Sequence, residues 1–365
     1  MKQPVTEAEA EILVARSHSL GRVTLNRPKV LNSLNLGMVR SIGAALDVFE
    51  HDPDVAAVLV DGAGDKAFCA GGDIRMIYES GKAGTSDAET FWREEYRLNA
   101  RIHHFPKPYV AVLDGLTMGG GVGVSAHGSH RIATERLRLA MPETGIGFFP
   151  DVGATWLLSR TKGELGTYLG LSGDIIGPAD AIAAGLVDVM VPRDQLAALR
   201  DALSSVAANS SSADIGAVIR RFAIAPPEGP LAVQMDVIDR CFAHDTVEAI
   251  FSALEADASA FAAATLATLR SKSPSALTIA LRMLREGRQS ASLEACLDRE
   301  FAGAAAILTL PDFYEGVRAA ILDKDRNPQW LPASLGDVDA AGLARFFKAH
   351  AGAPFNIRNG DNEDA

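Results

Sequence analysis

Tyr109-Val-Ala-Val-Leu-Asp-Gly-Leu-Thr-Met-Gly-Gly-Gly-Val-Gly-Val-Ser-Ala126 is the stretch whose reading decides the fold. Its apolar opening, Tyr109–Leu113, reads as a buried strand. The glycines of Gly115–Gly123 then lead into a short helix expected over Gly120–His127. Glycine at such a turn lets a backbone N–H come close to a ligand before the helix opens. The same device occurs upstream. Val55-Ala-Ala-Val-Leu-Val-Asp61 reads as another buried strand, and Ala67-Phe-Cys-Ala-Gly-Gly-Asp-Ile-Arg75 leads on into a helix with Asp73 placed to cap it. Two turns of this kind can aim two N–H groups at one oxygen.

Downstream lies Leu139-Ala-Met-Pro-Glu-Thr-Gly-Ile-Gly-Phe-Phe-Pro-Asp-Val-Gly153, an apolar run carrying two carboxylates, Glu143 and Asp151. An ionised carboxylate in apolar surroundings is costly, so it marks a partner or a reaction. N–H donors with carboxylates at hand suit chemistry at a carbonyl.

Around these stretches the chain has a strand-strand-helix rhythm. Ile12–Arg16 and Arg22–Leu25 read as a hairpin, Leu36–His51 as a helix, and Asp73–Glu79 and Ala88–His104 as two more. Strands are expected at Arg131–Thr134, Leu137–Met141 and Val187–Val191, and helices at Val152–Arg160, Glu164–Leu171 and Ala179–Gly185. Beyond about residue 193 the apolar spacing is helical throughout. The expected organisation is therefore an α/β core over 1–192, a helical region over 193–355, and a polar, disordered tail at 356–365.

Composition narrows the function classes. The chain has 365 residues, 48% of them hydrophobic, and a formal net charge of −11, which argues against general nucleic-acid binding. No apolar run approaches the ~18 residues of a membrane span. Three cysteines without metal-type spacing, and a polar, acidic start, point to reduced thiols and a cytoplasmic setting. No His/Asp/Glu cluster has metal spacing.

Rival readings of single motifs are weaker. Gly121-Val-Gly123-Val-Ser-Ala126, with Glu143 further on, matches a dinucleotide fingerprint on paper, but it leaves the first glycine turn and Asp151 without a role. Ser125 misses the nucleophile-elbow spacing because the closing glycine falls at Gly128. The pair His103-His104 reads as solvated or structural rather than catalytic. Asp151 is also placed to cap a helix starting at Val152, Glu95 to lie on a solvated helix face, and Arg75 and Lys29 to be solvated cations.

The two glycine turns, with Met141-Pro-Glu-Thr144 after them, resemble the crotonase (enoyl-CoA hydratase/isomerase) superfamily, and within it the branch that hydrolyses 3-hydroxyisobutyryl-CoA. Phe91-Trp-Arg-Glu-Glu-Tyr96, Ser273–Arg282 and Asp312–Asp325 match in order as well, over about residues 12 to 335. The resemblance implies an α/β, crotonase-like (ββα) superhelix with a helical C-terminal region. It implies a thioester oxygen held by the N–H groups of Gly72 and Gly120, in turns that include Gly71 and Gly119. Arg75 and Lys29 become contacts for coenzyme A phosphates, and Glu95 a group at the acyl end of the pocket. Hydratases of the superfamily carry a glutamate where Gly123 stands here and another where Glu143 stands. This chain keeps Glu143 and adds Asp151 in the Phe-Pro-Asp-Val-Gly setting of the hydrolase branch. The implied reaction is hydrolysis of a short branched 3-hydroxyacyl-CoA, a step of valine breakdown. The only coenzyme is the CoA of the substrate, with no metal, no nucleic-acid or membrane partner, and a homo-oligomer as an option. A hydratase or isomerase of the same fold is the alternative.

Overall fold

The structure, a computed structural model, describes residues 10–339 and 341–357. The chain groups into two units, each assembled from separated stretches. One comprises the chain up to Gly72, Leu98–Leu139 and Ile176–Gly229; the other comprises Asp73–Arg97, Ala140–Ile175 and the chain from Pro230 onward.

The first unit holds the sheets. Strands β1 (Ile12–Ser17) and β2 (Leu20–Leu25) form an antiparallel hairpin, with Ile12 opposite Leu25. Next come β3 (Ala57–Gly62), β4 (Ala67–Cys69), β5 (Tyr109–Leu113), β6 (Leu116–Met118), β7 (His130–Ala133), β8 (Arg138–Ala140) and β9 (Val189–Met190). The larger sheet runs β1-β2-β3-β5-β7-β9 and is parallel from β2 onward; the smaller runs β4-β6-β8. From β3 onward the strands therefore alternate between two sheets along the chain, which is the physical form of the strand-strand-helix rhythm. Parallel strands covered on both faces need near-continuous apolar runs, and Tyr109–Leu113 is buried at every position.

One face of the larger sheet presents Ala57, Leu59, Val110, Val112 and Ile132 to Leu199, Leu203, Ile215 and Ile219. The last four lie on helices Leu196–Ser204 and Ser212–Arg220. The loss of strand signal near residue 192 is thus a change of secondary structure rather than a division between units, because the first helices beyond it cover this sheet. Helix α1 (Leu36–His51) starts where Asn35 accepts the N–H of Met38, and buries Met38, Val39, Ile42, Leu46 and Phe49 along one stripe.

The second unit is helical. It contains α2 (Ile74–Ala83), α3 (Asp87–His103) through Arg97, and, after the short α4 of the first unit (Gly120–Gly123), α5 (Ala154–Leu158). Longer helices follow, among them Ala260–Arg270, Pro274–Gln289 and Leu293–Ile307, each entered through a serine that accepts a backbone N–H: Ser259, Ser273 and Ser292. Aromatic packing ties its pieces together. Trp92 stacks on Phe148 at 5.8 Å, Phe148 on Phe149 at 4.5 Å, and Tyr96 meets Phe301 edge-on at 6.5 Å.

One expectation is corrected. The helix after the second glycine turn ends at Gly123 and does not reach His127. Glycines at 120, 121 and 123 weaken it, and Ser125 turns its hydroxyl back onto the Gly121 carbonyl at 2.7 Å. Of the tail expected at 356–365 only Asn356 and Ile357 are described; Ile357 donates its N–H to Asp298 at 2.7 Å, as Phe355 ahead of the tail does at 2.9 Å. Just before it, Arg93 donates to the Gly352 carbonyl at 2.6 Å and Arg97 to that of Pro354 at 3.3 Å. Residues 358–365 lie outside the described residues. Among the described residues no helix is long and apolar enough to cross a membrane.

Candidate active site

In the first unit the two glycine turns lie side by side. Gly71 has φ +105°, and a Cβ built there would sit 3.2 Å from the Met118 carbonyl and 3.6 Å from the Gly120 nitrogen. At Gly121 a Cβ would meet the Cys69 carbonyl at 2.3 Å, so only glycine fits. Gly119 turns with φ +48°, and Gly120 opens α4, so its N–H has no acceptor within that helix. The first turn is braced from a loop. Ser33 Oγ donates to the carbonyls of Gly71 and Gly72 at 3.1 and 3.2 Å, and the Leu34 N–H donates to Gly71 at 2.8 Å. Asn32, fully buried at φ +57°, donates to the carbonyls of Ala63 and Ala67, both at 3.0 Å. Neither Asn32 nor Ser33 was singled out from the sequence. Lys29 is exposed and, with Pro28, Asn32, Asp65 and Lys66, lines a cavity of about 260 Å³. Ser125, its hydroxyl spent on Gly121, is no nucleophile.

The second unit gathers the carboxylates. Glu95 and Tyr96 face inward from α3 at 2% and 0% exposure, so the solvated-face reading of Glu95 falls. Glu143 opens the 3-10 turn Glu143–Ile146, and Asp151 sits two residues before the cap of α5. That cap is Gly153 in a left-handed conformation, not Asp151. The Asp151 carboxylate instead accepts the Tyr96 hydroxyl at 2.8 Å. Glu300, on Leu293–Ile307, accepts the N–H groups of Gly153 and Thr155 at 2.7 and 3.0 Å and the Thr155 hydroxyl at 2.5 Å. Neither Glu143 Oε2 nor Glu95 Oε1 accepts a hydrogen bond from the protein. A buried acceptor left in that state suits a group with a proton to share. Arg75, on α2, is exposed.

Burial dominates the electrostatics. It pushes Glu95 and Glu143 well above the usual carboxylate range, and the charge of Asp151 adds to the rise at both. Burial also pushes Asp151 up to about 7, against the Tyr96 hydrogen bond, and Glu300 up to about 8, against Thr155 and Gly153. Lys272, partly buried, has its pKa lowered by desolvation, while the carboxylates of Asp174 and Glu143 oppose the fall. Carboxylates that share a field and differ in proton affinity can divide acid and base work between them. Among the described residues no group of His, Cys, Asp and Glu could hold a metal ion.

Sequence reasoning had singled out Glu95, Glu143 and Asp151, and the structure brings them together. It had missed Glu300 and Lys272, and had quoted Tyr96 without giving it work. Glu300 had a legible signal: Leu293, Cys296, Leu297, Glu300, Phe301 and Ala304 form one buried helical stripe, with a carboxylate inside it.

Comparison with known proteins agrees with this architecture. The sequence profile of the enoyl-CoA hydratase/isomerase family matches residues 20–347. The chain is 44% identical over 337 residues to the 3-hydroxyisobutyryl-CoA hydrolase, mitochondrial, of Xenopus laevis, covering 91% of this chain and 87% of that one. It is 42% identical over 349 residues to the Homo sapiens protein of the same name, covering 94% and 90%. Among solved structures, a carnitinyl-CoA dehydratase from Mycobacterium thermoresistibile superposes with a TM-score of 0.89 at 41% identity, covering 94% of this chain and 98% of that one. An enoyl-CoA hydratase from Rhodobacter sphaeroides gives 0.86 at 42% identity, covering 93% and 98%. The cytoplasmic expectation is overturned here, since these hydrolase relatives are named as mitochondrial. Reduced thiols separate oxidising from reducing compartments and do not choose among the reducing ones. Profile, relatives and superposition agree: the chain belongs to the enoyl-CoA hydratase/isomerase, or crotonase, family.

Proposed function

We propose that the protein hydrolyses a short branched 3-hydroxyacyl-CoA, with 3-hydroxyisobutyryl-CoA as the substrate to try first. The observation that carries this reading is the buried group of Glu143, Asp151 and Tyr96 in a chain that has glycine at 123. In the resembling hydratases a second glutamate stands there and serves water addition to a double bond; here the second acid is Asp151. The hydrolase relatives at 42–44% identity support the same reading.

In this reading the N–H groups of Gly72 and Gly120 hold the thioester oxygen as it becomes an oxyanion. Each such donor is worth about 2.7–4 kcal/mol in the transition state. Glu143 acts at the acyl carbon by one of two routes. It attacks directly, the C–S bond breaks, the thiolate leaves and takes up a proton, and water then cleaves the acyl anhydride; or it removes a proton from a water that attacks instead. Either route consumes one water and yields the free acid and CoA thiol. Asp151, with an affinity for protons near neutrality, relays the proton or reads the substrate 3-hydroxyl. A Glu143 whose proton affinity has been raised by burial is a stronger base than a solvated carboxylate. Glu95 lies at the acyl end, and Arg75 and Lys29, both exposed, contact the CoA phosphates. The reaction draws on no coenzyme beyond the CoA of its substrate.

A hydratase of the same fold is the second reading, and the names of the two superposed structures favour it. Thiol release from 3-hydroxyisobutyryl-CoA, followed beside crotonyl-CoA hydration on one preparation, separates the two. The expected result is thiol release without hydration, and a fall in kcat of roughly 10²–10⁴ for Glu143→Gln. Hydration without thiol release would overturn the hydrolase reading.

A further inference from the structure

We propose that Glu300 is a positioning residue of this site: its carboxylate pins the turn that carries Asp151 and so fixes where Asp151 meets Tyr96. The proposal rests on the reading that Asp151 takes part in hydrolysis.

The turn needs holding. Val152 has φ +55° and Gly153 φ +79°, so two successive left-handed residues separate Asp151 from α5. A β-branched residue is strongly disfavoured in that conformation and stays there only when its surroundings insist. Glu300 supplies the insistence. Its Oε2 takes the Gly153 N–H at 2.7 Å, while its Oε1 takes the Thr155 N–H at 3.0 Å and the Thr155 hydroxyl at 2.5 Å. The group is fully buried, and no salt bridge reaches it among the described residues. A carboxylate set in apolar surroundings with only neutral donors is a costly way to fasten a helix of five residues that a local Ser or Asp would cap. It also comes from 145 positions away in the chain. The residue after it, Phe301, packs edge-on against Tyr96, whose hydroxyl holds the other side of the Asp151 unit at 2.8 Å. One dipeptide, Glu300-Phe301, thus acts on both flanks of Asp151: through Gly153 and Thr155 on one, through Tyr96 on the other.

The test is steady-state thiol release from 3-hydroxyisobutyryl-CoA by the full chain, as a function of pH. Above about pH 8, where Glu300 is ionised, Glu300→Gln sets an NH₂ against the Gly153 N–H, donor facing donor in place of an accepting oxygen. We expect kcat to fall about 10- to 100-fold, with KM changed by less than about threefold and the pH dependence of kcat displaced. Thr155→Val removes one of three donors and should lower kcat about 3- to 10-fold. Val152→Gly, placed in the Glu300→Gln protein, should restore at least roughly a third of the lost log kcat, because glycine takes the turn unaided. The proposal is overturned if both single variants keep the wild-type kcat and pH profile. It is equally overturned if kcat falls only in proportion to folded protein, with an unshifted profile. Should Glu300→Gln fail to fold, the Thr155→Val profile decides alone. Glu143→Gln runs beside them. Turnover surviving there sinks the hydrolysis reading itself; turnover lost there but kept in Glu300→Gln and Thr155→Val sinks only the role of Glu300.

Discussion

The Tyr96 hydroxyl donates to Asp151 at 2.8 Å, inside a cluster where burial and like charge both favour the protonated carboxyl. This bond works against both, since a donor on the carboxylate favours its ionised form. Tyr96→Phe removes the donor and leaves the ring. Asp151 then holds its proton more tightly, so the acid limb of the kcat–pH profile should move to higher pH and kcat at neutral pH should fall about tenfold. A profile unchanged in Tyr96→Phe would show that Asp151 ionisation does not govern turnover.

Stability should fall as pH rises through neutrality, the reverse of a protein held by ion-paired carboxylates. Glu95, Glu143, Asp151 and Glu300 all bind protons more tightly in the fold than their ordinary values near 4. Between those values and about 7 for Asp151 or about 8 for Glu300, the native state carries the extra protons. Their contribution is fully present below the unfolded values and is lost as pH climbs through the folded ones. His130, pushed down by burial, runs the other way at lower pH, as do Glu164, Asp214, Asp257, Glu315 and Asp325, which hydrogen bonds hold below the usual carboxylate range; Asp298 and Asp312, raised by burial, run with the four. Urea unfolding at pH 6.5 and 8.5 should therefore show the protein less stable at the higher pH, by roughly a few kcal/mol. A flat or rising midpoint would contradict the shifts.

Two glycine-to-alanine changes should part company. Gly121→Ala drives a methyl to 2.3 Å from the Cys69 carbonyl, where no side chain can give way. It should destabilise by about 1–3 kcal/mol or more and reduce thiol release by moving Gly120. Gly43, inside α1, has no atom within 4 Å of its Cβ position, so Gly43→Ala should stabilise by about 0.4–1 kcal/mol. Thermal melts of the pair check both signs.

Ser33→Ala takes away the hydroxyl that braces the carbonyls of Gly71 and Gly72. A loss of about 0.5–1.5 kcal/mol in stability is expected. Thiol release should also slow several-fold, because the turn it holds carries the Gly72 N–H. Slower turnover that a lower assay temperature fully restores would limit Ser33 to stability.

Most of the fold was legible because period and punctuation agree: strands of uninterrupted apolar residues, helices entered at Asn35, Ser259, Ser273 and Ser292, and glycines where two turns pass side by side. The short α4 was over-read because its apolar residues kept helical spacing while its glycines removed the stability of a longer helix. The site was half legible. Glu143 and Asp151 stood out as carboxylates in an apolar run. Glu95 and Glu300 are as buried, yet each sits in an amphipathic helix among other charged residues, and only their place inside the apolar stripe betrays them. The Asp151–Tyr96 bond joins residues 55 positions apart, and the grip of Glu300 on Gly153 spans 147, distances that no local pattern encodes.

The backbone between Gly352 and Ile357 is held by Arg93 and Arg97 of α3 and by Asp298 of the helix Leu293–Ile307, the two helices that also carry Glu95, Tyr96 and Glu300. The far end of the chain is in effect the outer staple of the carboxylate cluster. A protein shortened before Gly352 would leave two guanidinium groups and a carboxylate on these two helices without their backbone partners. Its first symptom would be slow chemistry in a chain that still folds, and an affinity handle placed there would carry the same risk.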